Sequence, residues 1–507
     1  MIQILAPHDT IRTGQIGAFC PYWTLRDGAV HVADTAQEII DALPLSPRVI
    51  DLVAVMELLQ FNYMPGTRTL VQDVHKMPWR AELSGRGELR RFPPIPHGNR
   101  QVAAAEVARQ LFELLQKELT EATKGARRIF LLLSGGYDSR VIASVLKSLE
   151  SDLKSPIECV TWSVPNSRDL VYATEVSKLF GWEHHVVDYT PQLVWQNLRT
   201  AAVWGGAECT GIHLHGMQWF ERCSHEDLVI GGTLGDMIGR AIYRGSHITR
   251  VALARIRNMH DLFRYTDYLP LRAAIRDDRA TAWQAAPEMT QLTCVELDMQ
   301  ENFVRRLLCY SLDYLRTFCR LHQAFSSDEV VSLMWSLDPR CRTDDVYAHL
   351  LRSVDPRLPS IPNPKLGRAL DGTPVKDQSL CKSHHAWDRW PREDHIEQLR
   401  SIYFSEGLKR LRLFHPPAVK RLWASFLNRQ GPNLRAAEDV IKLCTIELAR
   451  QRFDLHPPQR SCLSNDPTER VFRGALAPWM ETSAIRRGVR WWRRQRSRGA
   501  SGPSPAE

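Results

Sequence analysis

Four short apolar runs between residues 127 and 230, the first three separated by helical periodicity, predict an α/β fold built on a doubly wound parallel sheet. The first, Arg127 to Leu133, ends in a continuous apolar run, as a strand covered by helices on both faces must. A glycine-rich loop, Ser134 to Ser139, leaves the first run and opens a helix. Residues 1–100 instead read as short strands and turns, and beyond about residue 250 the pattern is mostly helical. The expected organisation is an α+β region at 1–100, a sheet-bearing domain with a helical C-terminal part at 101–460, and a basic tail at 461–507.

The elements follow in order. Thr35 to Leu43 and Pro47 to Phe61 carry helical apolar spacing, and Asn62 to Thr67 is a turn around Pro65-Gly66. Phe92 to Asn99 holds too much proline for a helix or a central strand and reads as a linker. From about Gln101 to Thr120, Val107, Leu111, Leu114, Leu115 and Leu119 share one helical face. Arg127 to Leu133 is a buried strand and Arg140 to Leu149 a helix. Ile157 to Ser163, Asp169 to Phe180 and Glu183 to Tyr189 repeat the alternation, and Leu228 to Ile230 is a further strand ending in glycines.

Composition narrows the classes. The chain has 507 residues, 44% hydrophobic and 24% charged, with no apolar run of the roughly 18 residues that span a bilayer. No secretory leader is evident at Met1 to His8, so a cytoplasmic protein is expected. Eleven cysteines without a C-x-x-C pair read as reduced thiols. The formal charge of +9 is concentrated in seven arginines between Arg486 and Arg498. With Trp491-Trp492 among them, that tail could touch an anionic membrane surface, although a disordered tail is the simpler reading.

The loop Ser134-Gly135-Gly136-Tyr137-Asp138-Ser139 carries the chemistry. Its glycines let the backbone approach a phosphate, the helix start offers unpaired N–H groups, and Ser134 and Ser139 add hydroxyls. Asp138 would repel phosphates unless a cation lay between them, which points to Mg²⁺. His213 and His215 alternate on one face but lack a third ligand, and His184-His185 reads as a core or edge pair.

This loop resembles the SGGxDS loop of the PP-loop ATP pyrophosphatases, whose fold is adenine nucleotide α-hydrolase-like. A second stretch, Tyr63-Met64-Pro65-Gly66-Thr67-Arg68-Thr69-Leu70 with Val74-His75-Lys76-Met77-Pro78, resembles the end of the glutaminase domain in class-B asparagine synthetases. A third, Gly231 to Gly239, resembles that family's glycine-rich G-x-G-x-D-E segment, with Met237 where the second acid stands. Weaker likenesses are Phe325 to Val331 and Arg352 to Gly367. Together they are similar to shortened, asparagine synthase-related members.

The resemblance implies an ATP- and Mg²⁺-using ligase that activates a carboxylate as an acyl-adenylate for attack by ammonia or an amine. Ser134, Gly135, Gly136 and Ser139 would cradle pyrophosphate, with Gly232 and Gly235 beside them. Asp138 and Asp236 would hold the metal, the backbone at Val160 and Trp162 would meet adenine, and a lysine among Lys365, Lys376 and Lys382 would stabilise the acyl step, Lys365 being the one nominated. The acceptor would be a small-molecule, sugar-acid or peptide carboxylate. Glutamine-using relatives need an N-terminal cysteine, but position 2 is Ile2, and about 100 residues are few for a glutaminase. A truncated Ntn-glutaminase-like, amidotransferase-like remnant is therefore expected. Ammonia could be free or come from a partner glutaminase; β-lactam and lasso-peptide macrolactam synthetases, which use a substrate amine, are the alternative. tRNA-modifying PP-loop enzymes lack the Tyr63 to Pro78 stretch, so a nucleic-acid partner is disfavoured. A non-catalytic binding protein is the remaining rival.

Overall fold

The computed structural model describes residues 2–44, 48–241, 256, 258–280, 291–372, 379–428 and 434–458. The N-terminal strands are β1 (Gln3–Leu5), β2 (Thr10–Arg12), β3 (Tyr22–Arg26), β4 (Ala29–Ala33), β5 (His75–Lys76), β6 (Ala81–Ser84) and β7 (Leu89–Arg91). They form two antiparallel sheets, ordered β1-β4-β3-β5 and β2-β6-β7. Between β4 and β5 lie α1 (Ala36–Asp41) and α2 (Leu52–Phe61). Each begins at a side-chain cap: Thr35 accepts from Glu38 N–H, and Asp51 from Val53 and Ala54 N–H. Helix α2 stops where Asn62 turns left-handed, at φ 75°, in the segment expected to turn.

The α/β part starts with α3 (Ala104–Thr123), three residues later than the periodicity suggests, and continues through β8 (Ile129–Leu132), α4 (Tyr137–Leu149), β9 (Ile157–Ser163), α5 (Arg168–Phe180), β10 (Glu183–Asp188), α6 (Pro191–Val203), β11 (Leu228–Gly231) and β12 (Arg320–Gln323). All five strands run parallel in the order β10-β9-β8-β11-β12. Strand β8 is central and buried at every position, as its unbroken apolar run requires. Val141, Ile142, Val145 and Leu146 of α4 join Ile129 and Leu131 in one core with the buried face of α3. Sequence periodicity gives no sign of β12, because Arg320-Leu321-His322-Gln323 has neither an apolar run nor clean alternation. Edge strands need no such run.

Buried charges bind the N-terminal sheets to the rest. Lys76, 1% exposed, donates to Glu208 at 3.2 Å and Asp313 at 2.9 Å, and Glu208 also meets Arg306 Nε at 3.2 Å and the Tyr22 hydroxyl. Arg80 pairs with Glu301 at 2.7 Å, and Arg305 donates to the Met77 carbonyl at 2.9 Å. The Tyr63 to Pro78 stretch is thus keyed to residues 301–313 by the buried pair Lys76–Asp313 and by the Arg305 bond to the Met77 carbonyl. By its internal contacts Met1–Pro457 forms one compact unit. The arginine-rich tail lies outside the described residues, and no helix among those described is long and apolar enough to cross a membrane.

Candidate functional site

The loop leaves the C-terminal end of β8, and Gly136 is the residue before the first turn of α4, with no side chain capping it. The amides of that turn are therefore free to meet an anion. Hydroxyls shape the loop. Ser139 Oγ accepts from Ser134 N–H at 3.2 Å and donates to the Ser134 carbonyl at 3.0 Å, while Ser134 Oγ accepts from Gly136 N–H at 3.2 Å. Ser139 is buried and Ser134 exposed, so the first supports the turn and the second faces solvent.

Asp138 and Asp236 are brought together, and the residue between them is one the sequence reading missed. The glycine segment after β11 forms a single wide turn, Gly235–Gly239, and Arg240 follows it. The Arg240 guanidinium donates to Asp138 through Nε at 3.3 Å and Nη2 at 3.1 Å, also reaches Asp236, and donates through Nη1 to Asp344 at 2.9 Å. Its side chain is 8% exposed, with the Tyr137 and Tyr347 rings each 5.4 Å away. Burial works against that charge, but Asp138 and Asp236 outweigh it and hold its pKa above the ordinary value. Burial, and Asp236 beside it, push the Asp138 carboxyl up. A methyl group at Gly235 would lie 2.6 Å from Asp138 Oδ1, so only glycine leaves the acid its space; at Gly232 it would lie 2.8 Å from Ile142 Cδ1. The donor chemistry fits Mg²⁺: two hard carboxylates converge on one positive charge, and Arg240 stands where a cation is called for. The sequence signal was available, since residues 236 and 240 lie one turn apart, but an arginine after glycines reads as surface.

Arg140 was also missed. It is fully buried and, among the described residues, pairs with no carboxylate; it donates instead to the carbonyls of Gly135 (2.8 Å), Leu358 (2.9 Å), Ile361 (2.6 Å) and Pro362 (3.1 Å). Burial lowers its pKa to about 10. Together with the bond from the Tyr137 hydroxyl to the Arg368 carbonyl at 3.0 Å, it fastens residues 358–368 over the loop. Lys365 lies on that segment and is exposed, its N–H held by Asn363 Oδ1 at 2.9 Å. Burial raises the Asp169 carboxyl at the start of α5, and the Lys365 charge opposes the rise, so the two are near neighbours. Lys382 is exposed beside residues 166–168, and Lys376 lies outside the described residues.

Strand β9 carries the other nominated residues. The Val160 side chain is in the core and its carbonyl accepts from Leu133 N–H at 3.0 Å, so that oxygen serves the sheet. Trp162 stacks on His215 at 5.4 Å, within a group of rings that includes His384, His385 and Trp387. Among the described residues, one cluster offers three close metal-ligand atoms: Glu158, Glu183 and His185. It lies at the starts of β9 and β10, away from the loop end of the sheet, and His185 is bonded to Glu158 at 2.6 Å. His184 bonds Thr161 at 2.8 Å. Cys20 is buried, and burial pushes its thiol up to about 12.

Comparisons with known proteins bear on the loop. The asparagine synthase family matches residues 110–220. Asparagine synthetase [glutamine-hydrolyzing] of Gallus gallus is 36% identical over 81 residues, which are 16% of this chain and 14% of the chicken protein. The chain therefore spans only a small part of that relative's length. NMN synthetase from Francisella tularensis aligns at 18% identity and a TM-score of 0.19, over 28% of this chain and 59% of its own. An NH3-dependent NAD synthetase from Campylobacter jejuni, in complex with nitrate, aligns at 13% identity and a TM-score of 0.21, over 40% of this chain and 96% of its own. Superpositions that loose carry no weight beside the sequence matches. Asp236, Arg240 and Lys365 fall beyond the matched segment, whereas the loop and strands β8 to β10 fall within it. Over residues 110–220, which hold the loop, the chain is similar to the asparagine synthase family.

Proposed function

We propose that this chain is an ATP-dependent amide ligase that activates a carboxylate as an acyl-adenylate and releases AMP after an amine attacks. The observation that carries the reading is the hydroxyl-braced loop at the C-terminal end of the central parallel strand, opening an uncapped helix beside two convergent aspartates. Ligands of open parallel sheets bind at that end. The amides at the start of α4 and the Ser134 hydroxyl would bind the pyrophosphate portion of ATP. Asp138 and Asp236 would hold Mg²⁺, whose chemistry there is neutralising charge on the leaving group. Lys365, poised over the loop, would bind the developing negative charge at the acyl centre.

The nitrogen source is read from Cys20. A buried thiol held far from ionisation is no nucleophile, which supports ammonia, or an amine on the substrate as in macrolactam and β-lactam formation, over glutamine hydrolysis by this chain. The test is the fate of ATP when candidate carboxylates are supplied with ammonium. AMP and pyrophosphate are expected; ADP and phosphate would sink the proposal.

A further inference from the structure

Arg240 has partners on two sides. Inward it holds Asp138 and Asp236; outward, through Nη1, it holds Asp344, whose side chain is 43% exposed at the start of the helix Asp344–Val354. A divalent ion bound by the inner pair needs the volume and the lone pairs that the guanidinium uses. The two cations would also repel at close range in a partly buried site. The ion can therefore enter only if the guanidinium moves, and a guanidinium 8% exposed moves only toward another anion. Asp344 supplies part of that anion. A free metal ion supplies none, whereas a polyphosphate on the α4 amides would complete the outer seat.

We propose that Arg240 is an exchangeable resident cation, which yields Asp138 and Asp236 to a divalent ion only when a nucleotide's phosphates receive it. Metal binding is thereby conditional on nucleotide, and a metal-loaded but nucleotide-free site is avoided. The proposal rests on the reading that residues 134–139 cradle a nucleotide.

The experiment counts Mn²⁺ bound to the full chain by equilibrium dialysis and electron paramagnetic resonance, with and without α,β-methylene-ATP, for wild type and Arg240→Gln. Wild type should bind Mn²⁺ at least tenfold more weakly without the analogue than with it. Arg240→Gln should bind Mn²⁺ without the analogue at least tenfold more tightly than wild type does. Equal affinities of the two proteins without the analogue, with both binding in its presence, would overturn the exchange and leave the nucleotide reading standing. No Mn²⁺ on either protein even with the analogue would overturn both. If Arg240→Gln does not fold, wild type alone decides, because equal binding with and without the analogue refutes the proposal.

Discussion

At the scale of single residues, Asp138, Asp236 and Lys365 could be nominated from the sequence, whereas Arg140, Arg240 and Asp344 could not. Asp138 announces itself by sitting in a glycine and serine loop where a carboxylate has no structural reason to be. Arg140 and Arg240 look like ordinary surface arginines until the fold buries them, and nothing local in the sequence says which carbonyl or carboxylate will arrive from residues 344–362. Asp138→Asn keeps the shape and removes the charge. It should lower the rate of AMP formation at least about a hundredfold, roughly 2.7 kcal/mol of barrier, as measured by single-turnover kinetics with saturating ATP. Arg140→Met removes the donor to four carbonyls, which cannot all find water where they lie. With unsatisfied groups each costing about 1–3 kcal/mol, a loss of about 3 kcal/mol or more is expected from urea unfolding.

At the scale of elements, β8 and β11 could be read because burial on both faces writes itself into sequence as unbroken apolar runs, and β9 and the exposed edge strand β10 because they alternate with helical periodicity. The edge strand β12 could not, since it borrows its order from β11 and from residues outside the sheet. His322 bonds Glu118 at 2.8 Å, and the same carboxylate accepts from Ser326 N–H at 3.1 Å, so α3 helps to hold that edge. The short N-terminal strands were legible only as a class, because their pairing depends on partners distant in sequence. Lys76 illustrates it: a lysine in a two-residue strand reads as solvated, yet it is buried between Glu208 and Asp313. Lys76→Met strands Asp313 and takes from Glu208 one of its partners, and should cost about 3–5 kcal/mol, whereas Lys117→Met, which breaks an exposed pair with Glu329, should leave stability nearly unchanged. Denaturant midpoints of the two variants check the contrast.

For the molecule as a whole, the buried histidines set an acid limit. Burial lowers His184 and His384 to about 4, and His213 and His385 to about 3. In the unfolded chain each titrates near 6.5, so between these values the unfolded state binds more protons. The stability they carry is complete above about pH 6.5 and drains away as pH falls toward 4, by at most about 1.4 kcal/mol per pH unit for each histidine. Unfolding free energy should therefore drop measurably from pH 7.0 to 5.5, and a His213→Asn, His385→Asn double variant should show a shallower drop than wild type. The same buried character extends to Cys20, so Cys20→Ser should leave amide formation from ammonium unchanged and reveal no loss of glutamine turnover, because none is expected. The keying of Lys76 to Asp313 has a further consequence, in time rather than energy. On the ribosome the two are separated by 237 residues of synthesis, on the order of ten to fifty seconds at about 5–20 residues per second. For the first 132 of those residues the first sheets carry a lysine meant for burial with no acid yet made to receive it, and its second partner, Asp313, comes only at the end. The beginning of the chain must wait for its middle, and a nascent chain stalled before residue 301 should remain open to protease at residues 63–80, closing only once the 301–313 stretch has cleared the exit tunnel.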